Sequence, residues 1–147
     1  MLLQRAFLLV LVLLALGCRQ KIPMEASSVQ LEDGIHISIR DAHAKNQRIH
    51  VVATVTNWSQ HPVYIDRNYW GLRLPWGETL ARVQGYTQKE NIFTVDVGKA
   101  RQITVVFHKP GLDVSTIATA DLIVGGVTDH PSHPGHTVGE VHLSRAD

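Results

Sequence analysis

The sequence predicts an all-β protein, and three observations support that prediction. Apolar and polar residues alternate with a period of two through most of the chain after residue 28, as in half-buried strands. Turn-forming groups rich in proline and glycine separate these runs, which is typical of antiparallel strands and not of βαβ units. Helical patterns are short, since residues 115–118 offer one turn at most.

Each strand is predicted from its own alternating run. The clearest spans residues 49–55, where apolar residues occupy every second position until Asn57-Trp58-Ser59 ends the run in an Asx turn. In chain order, the runs lie at residues 29–31, 35–39, 49–55, 63–65, 72–74, 93–97, 103–107, 120–124 and 141–143. Turn signals between them include His61-Pro62, Trp76-Gly77, Gly98-Lys99, Lys109-Pro110-Gly111 and Gly125-Gly126.

Alternation keeps one face of each sheet in water, so two sheets packed face to face bury the apolar faces economically. We therefore expect one immunoglobulin-like antiparallel β-sandwich of about eight strands over residues 29–147. A small closed barrel is the alternative arrangement. The length is enough for one domain with a real core and too short for two.

The amino terminus predicts a lipoprotein signal peptide over residues 1–17. Arg5 supplies a positive charge ahead of an apolar stretch that is shorter than the roughly 20 residues of a membrane span. The stretch ends at Leu16-Gly17-Cys18, where a small residue precedes the only cysteine of the chain. We expect cleavage before Cys18 and acylation of its thiol, because several acyl chains anchor a protein stably. Residues 18–28 would then form the acylated cysteine and a flexible tether.

The run Leu14-Ala15-Leu16-Gly17-Cys18 resembles the bacterial lipobox, which implies a lipid-anchored protein of the cell envelope. Arg19 follows the cysteine, where an aspartate would favour retention at the inner membrane, so we expect the outer membrane or the surface. The 14 Lys and Arg residues nearly balance the 13 Asp and Glu residues and are interspersed with them. Nucleic acid is therefore not an expected partner.

Residues 51–65, VVATVTNWSQHPVYI, together with Phe93-x-Val95-x-Val97-Gly98 and the strand at residues 102–107, resemble a known family. The family is the telokin-like, immunoglobulin-fold domain of small bacterial lipoproteins and secreted proteins, and the resemblance covers residues 46–124. It implies a binding or scaffolding role and brings no catalytic residues.

The residues 130–136, His-Pro-Ser-His-Pro-Gly-His, form the one constellation with the chemistry of a metal site. Neutral imidazole is a good ligand for Zn²⁺ or Cu²⁺, and a folded-back loop could present His130, His133 and His136 to one ion. The fourth ligand would be His142 or Asp129. The prolines and glycine equally describe a solvated hairpin loop without a metal.

Aromatic residues are concentrated in the middle of the chain, interspersed with arginines. Tyr69, Trp70 and Trp76 have the composition of a surface that binds a protein partner or stacks on a glycan. The alternative is that Trp70 or Trp76, with Trp58, closes an end of the core.

These features predict a non-catalytic envelope lipoprotein that binds a protein, an envelope component or a surface glycan. A periplasmic metal-binding lipoprotein is the second hypothesis. An enzyme is the third and least supported, because Ser115, His108 and Asp113 lack the Gly-x-Ser-x-Gly context of a serine nucleophile.

Overall fold

The architecture is all-β, and every strand pair described below is antiparallel. The structure is a computed structural model that describes residues 20–26, 29–30, 34–85, 88–133 and 135–147. The predicted signal peptide and the lipidation site Cys18 lie outside the described residues. Within the described residues, no helix is long and apolar enough to cross a membrane.

The strands are β1 (Ile22–Glu25), β2 (Val29–Gln30), β3 (Ile35–Lys45), β4 (Arg48–Asn57), β5 (Val63–Asp66), β6 (Gly71–Arg73), β7 (Thr79–Ala81), β8 (Ile92–Val95), β9 (Ala100–His108), β10 (Thr119–Val124), β11 (Val127–Thr128) and β12 (Gly139–Arg145). Short 3-10 turns occupy Arg67–Tyr69 and Val114–Thr116. The strands outnumber the predicted eight because β1, β7 and β11 are too short to show an alternating pattern.

The larger sheet nearly closes on itself. Its strand order is β7-β6-β10-β12-β1-β3-β4-β9, with β2 paired to β3. Immediately after β7, Arg82 bridges to Phe107 of β9, and the amide of Val83 donates to the carbonyl of Val106 at 2.7 Å. A second sheet has the order β11-β5-β8. The predicted all-β, antiparallel class is confirmed.

Both sheets contribute to one hydrophobic core. Along β4, alternate side chains at Ile49, Val51, Ala53 and Val55 are fully buried. Alternate positions of the second sheet, Ile65 among them, join the same core. Burial of one large aliphatic side chain contributes roughly 1.5–3 kcal/mol. Burial of the apolar side chains at every second position is therefore the main source of this fold's stability.

A β-bulge in β3 changes which residues face the core. The register with β4 shifts between Ile39 and Asp41, which adds one residue to β3. Because side chains alternate, the extra residue reverses their phase: Ile37 is buried before it and Ala42 after it. The bulge places Asp41 and His43 on the outer face of the sheet.

Strand β1 differs from the predicted tether. Residues 18–28 were expected to be flexible, yet Ile22 and Pro23 pair with β3, while Met24 and Glu25 pair with β12. Met24 is buried in the core. The sequence concealed this strand because its four residues are too few to show an alternating pattern, and its conformation depends on pairing with β3 and β12.

Strand β4 runs from one end of the domain to the other. The ten residues of β4 span about 30 Å. The chain from Gln20 enters at the end that holds the β3–β4 turn, since Ile22 pairs with Ala44; we call this the hairpin end. The segment after Asn57 lies at the opposite end, which we call the cleft end.

Candidate functional site

Residues 129–138 connect β11 to β12 at the cleft end, and we call them the histidine loop. The loop folds back on β11, because Val127 and His136 exchange two backbone hydrogen bonds of 3.0 and 3.2 Å. Glycines permit this close approach: a Cβ on Gly135 would lie 2.5 Å from the carbonyl carbon of Gly126. The loop is therefore held against the second sheet.

The imidazoles of the histidine loop make local contacts. The Ser132 hydroxyl lies 2.6 Å from Nδ1 of His130. The rings of His130 and His133 have centroids 4.9 Å apart, tilted by 40°. Nδ1 of His133 lies 3.4 Å from Oδ1 of Asp129. Since the carboxylate of Asp129 contacts His133 and not His130, the loop does not assemble a Ser-His-Asp relay.

His142 lies apart from this arrangement. It sits on β12, where its Nδ1 is 2.7 Å from Oδ1 of Asp121 on β10. In the part of the chain that the structure describes, no three or more His, Cys, Asp or Glu side chains form a group able to hold a metal ion. The predicted set of His130, His133, His136 and His142 is therefore not brought together.

An open cleft of about 760 Å³ lies between the histidine loop and the turn that follows β4. Its aromatic wall is Trp58, whose side chain is 66% exposed. The other lining residues are Gly34, Ile35, Ser59, Gln60, His61, Val63, Val127, Thr128, Asp129, His133 and His136. The cleft thus combines an indole and apolar backing residues with carboxylate, imidazole, amide and hydroxyl groups.

Asn57 builds the turn that carries Trp58. Its buried side-chain amide donates to the carbonyls of His61 and Val95 at 2.7 and 2.9 Å. Its Oδ1 accepts from the amide and the hydroxyl of Ser59 at 2.9 and 2.6 Å. These bonds confirm the predicted Asx turn and fix the cleft wall relative to β8.

A smaller depression of about 200 Å³ adjoins the cleft, with His133 and Thr128 lining both. Tyr64, Tyr69 and Ile92 form its opposite side. Tyr69 is 68% exposed, so one of the predicted aromatic binding residues lies beside the histidine loop.

The other two predicted aromatic residues lie elsewhere. Trp70 is only 1% exposed and belongs to the core, which corrects its prediction as a partner-binding residue. The chain turns at Arg67–Tyr69 and directs the next side chain inward. Trp76 is 53% exposed but lies on the β6–β7 turn at the hairpin end. The aromatic segment therefore does not form one surface.

Two arginines among those aromatics are buried, which the sequence did not reveal. The Arg67 guanidinium donates to the carbonyl of Thr104 at 2.7 Å and to that of Gln88, and lies 5.6 Å from the centroid of the Phe93 ring. Burial, and then the charge of Arg82, lower the pKa of Arg67. These contacts tie the segment that follows β5 to β8 and β9.

Arg82 is held in the same region by side-chain oxygens of Asn68 and Asn91. Burial lowers its pKa, while the nearby carboxylate of Asp66 opposes that shift. No sequence motif marks these guanidinium groups as buried, because arginine is usually exposed.

These observations define an all-β protein whose two antiparallel sheets share one core and carry an open, partly aromatic cleft at one end.

No family model matches the chain, and no curated protein matches it. The crystal structure of the YjhA protein from Bacillus subtilis is similar, with a TM-score of 0.50 and 9% identity over 67% of this chain and 76% of that one. An X-ray structure of the structural-genomics target SoR45 aligns with a TM-score of 0.44 and 15% identity over 87% of each chain. The likeness to YjhA concerns the fold alone.

Proposed function

We propose that this chain is a non-catalytic lipoprotein of the bacterial cell envelope, whose domain binds a glycan of that envelope in the cleft beside Trp58. Acylated Cys18 holds it on the bilayer, with the outer membrane favoured. The finer fold assignment, an immunoglobulin-like sandwich of the telokin-like kind, is part of this proposal; two antiparallel sheets that share one core support it. The cleft is the observation that carries the function.

The size and form of the cleft favour a ligand larger than an ion. Its volume of about 760 Å³ falls within the range of roughly 300–1,000 Å³ that is usual for organic ligands. It is open to solvent, so a ligand longer than the cleft could extend out of it.

The chemistry of the lining favours a hydroxyl-rich ligand. The exposed indole of Trp58 offers a flat apolar face on which the C–H face of a sugar ring can stack. Asp129, Ser59 and Gln60 offer acceptors and donors for ring hydroxyls around it. Among the described residues, those that line the cleft include no lysine or arginine, so a strongly anionic ligand is disfavoured. A protein partner at the same surface is the alternative occupant.

The test uses the full acylated chain in lipid nanodiscs. Peptidoglycan strands are titrated while heat or tryptophan emission is recorded, and the strongly anionic lipopolysaccharide core oligosaccharide is titrated for comparison. We expect saturable binding of the peptidoglycan strands that Trp58→Ala abolishes, and weaker binding of the anionic oligosaccharide. Trp76→Ala removes another exposed indole, at the opposite end of the domain; it is the matched control and should bind as the unaltered protein does. Absence of saturable binding to every glycan, or equal loss in both variants, contradicts the proposal.

Metal binding is the second candidate, and a specific observation favours keeping it. His61, Asp129, His133 and His136 all line the same cleft, so three imidazoles and a carboxylate border one space. Zn²⁺ and Cu²⁺ titrations of the metal-free protein test it. Stoichiometric binding that His133→Ala and His136→Ala abolish would place a metal in the cleft. Weak heat unchanged by these substitutions would remove this candidate.

A further inference from the structure

The amino-terminal end of the described chain emerges beside the β3–β4 turn. Ile22 pairs with Ala44 near the end of β3, and Gln20 and Ile22 line one depression together with Asn46 and Gln47 of the turn. Gln20 is two residues from Cys18, a separation of at most about 7 Å in a fully extended chain. A lipid attached to Cys18 therefore keeps the hairpin end close to the bilayer surface.

A chain of contacts connects this exit point to Trp76. The carbonyl of Gln47 accepts from the backbone amide of Lys109 at 3.4 Å. Nζ of Lys109 lies 2.5 Å from Oε2 of Glu78. Glu78 in turn accepts from Nε1 of Trp76 at 3.1 Å. The exposed indole thus belongs to the same end of the domain as the exit of the chain.

Trp76 presents an exposed indole at the surface of the hairpin end. Its side chain is 53% exposed at a tight turn, Pro75-Trp76-Gly77, and its indole N–H is satisfied by a carboxylate at the surface. An indole with an apolar body and a satisfied polar edge is suited to the headgroup layer of a bilayer. Glu78 contacts Lys109 as well as the indole, so the carboxylate beside Trp76 adds no unpaired charge where the indole would meet the lipid.

We propose that the hairpin end rests on the bilayer with Trp76 in the headgroup layer, so that the cleft faces away from the membrane. This inference rests on the lipid anchor of the proposed function. The partner is the lipid surface, and the length of β4 places the Trp58 cleft about 30 Å from it. A docked end would restrict rotation about the short link to Cys18 and hold the cleft toward the space beyond the membrane.

The test measures tryptophan quenching on vesicles. The acylated full chain is reconstituted into phosphatidylcholine vesicles with and without a nitroxide on the lipid headgroup, and vesicle flotation reports anchoring. We expect the labelled lipid to quench emission, and Trp76→Phe to lose most of that quenching. Trp58→Phe is the matched control and should retain it. Iodide in the aqueous phase should quench Trp58 equally in vesicles and in detergent.

Each outcome decides a separate point. Protein that fails to float with the vesicles overturns the anchored-lipoprotein proposal and this inference with it. Floated protein whose Trp76 is not quenched, or in which Trp58 accounts for the quenching, overturns the orientation alone. Circular dichroism of both variants checks that they remain folded, which is expected because both indoles are exposed.

Discussion

The imidazole rings of His43 and His50 stack on one another across β3 and β4, with centroids 4.8 Å apart and planes within 5° of parallel. The two residues are directly opposite in the register. Nδ1 of His43 also lies 2.8 Å from Oδ2 of Asp41. Burial, followed by the charges of His43 and Arg48, lowers the pKa of His50, and Asp41 opposes this shift.

The lowered pKa of His50 predicts a loss of stability in mild acid. In the unfolded chain the group titrates near 6.5, and in the folded protein it titrates lower. Between these values the unfolded state binds more protons, so the free energy of unfolding falls as pH decreases through that window. Above the unfolded pKa the contribution to stability is complete.

Substitution His50→Gln should therefore flatten the pH dependence of stability. We expect urea unfolding between about pH 5 and pH 7.5 to show a smaller decline for the variant than for the unaltered protein. An identical decline in both would mean that His50 is not the group that titrates.

The buried Arg67 should contribute strongly to stability. Arg67→Met removes the donors to the carbonyls of Thr104 and Gln88, so we expect a loss of about 2 kcal/mol in urea unfolding. Arg73→Met is the control, because its bidentate pair with Glu140 is exposed and should cost less than about 1 kcal/mol. Equal costs at both positions would contradict the structural role given to Arg67.

The side chain of Asn57 should govern the shape of the cleft wall. Asn57→Ala leaves two carbonyls without their donor, so we expect a loss of about 2–3 kcal/mol and greater proteolytic sensitivity of residues 58–62. Ser59→Ala removes more exposed bonds in the same turn and should cost about 0.5–1 kcal/mol. Comparable losses for the two variants would mean that Asn57 does not organise the turn.

Two glycines with nearly the same φ provide a matched test of how closely the histidine loop packs against the second sheet. Gly126 and Gly98 have φ of 68° and 71°. A Cβ at Gly126 would lie 2.3 Å from the carbonyl oxygen of Asp66, whereas nothing lies within 4 Å of one at Gly98. Gly98→Ala should cost about 1 kcal/mol from backbone strain alone.

Gly126→Ala should cost clearly more than Gly98→Ala, because the strand bearing Asp66 must move. We also expect faster hydrogen exchange at the amides of Val127 and His136, whose bonds hold the loop. Equal stability of the two variants would show that the loop is not packed as described.

The sequence revealed the long strands because their burial has a strict period. β4 buries alternate side chains, and Ile103, Val105 and Phe107 of β9 repeat that pattern, with Val106 buried as well. β1 has only four residues and carries Pro23, so its two apolar residues are too few to distinguish it from a tether. Its strand conformation depends on pairing with segments that are distant along the chain.

The candidate site was predictable only in parts. The histidine loop and the Asx turn at Asn57 were both identified as local features. Their meeting in one cleft depends on the bridge between Val127 and His136 and on the register of the second sheet, which residue spacing does not encode. Likewise, Trp70 and Tyr69 are neighbours in sequence, and only the turn between β5 and β6 determines which of them is exposed.

The location of β1 inside the larger sheet has a mechanical consequence. A pull on the chain ahead of Gln20 acts along the axis of β1, which is bonded to β3 on one edge and to β12 on the other. The force then acts parallel to β1, so the backbone hydrogen bonds on both of its edges must break together. A strand at the edge of a sheet that is pulled away perpendicular to its axis would lose its hydrogen bonds one at a time. The domain should therefore unfold at a higher force when it is pulled through its amino terminus than when the force acts across β7. Strand β7 has only a short pairing with β6 and lies where the larger sheet nearly closes.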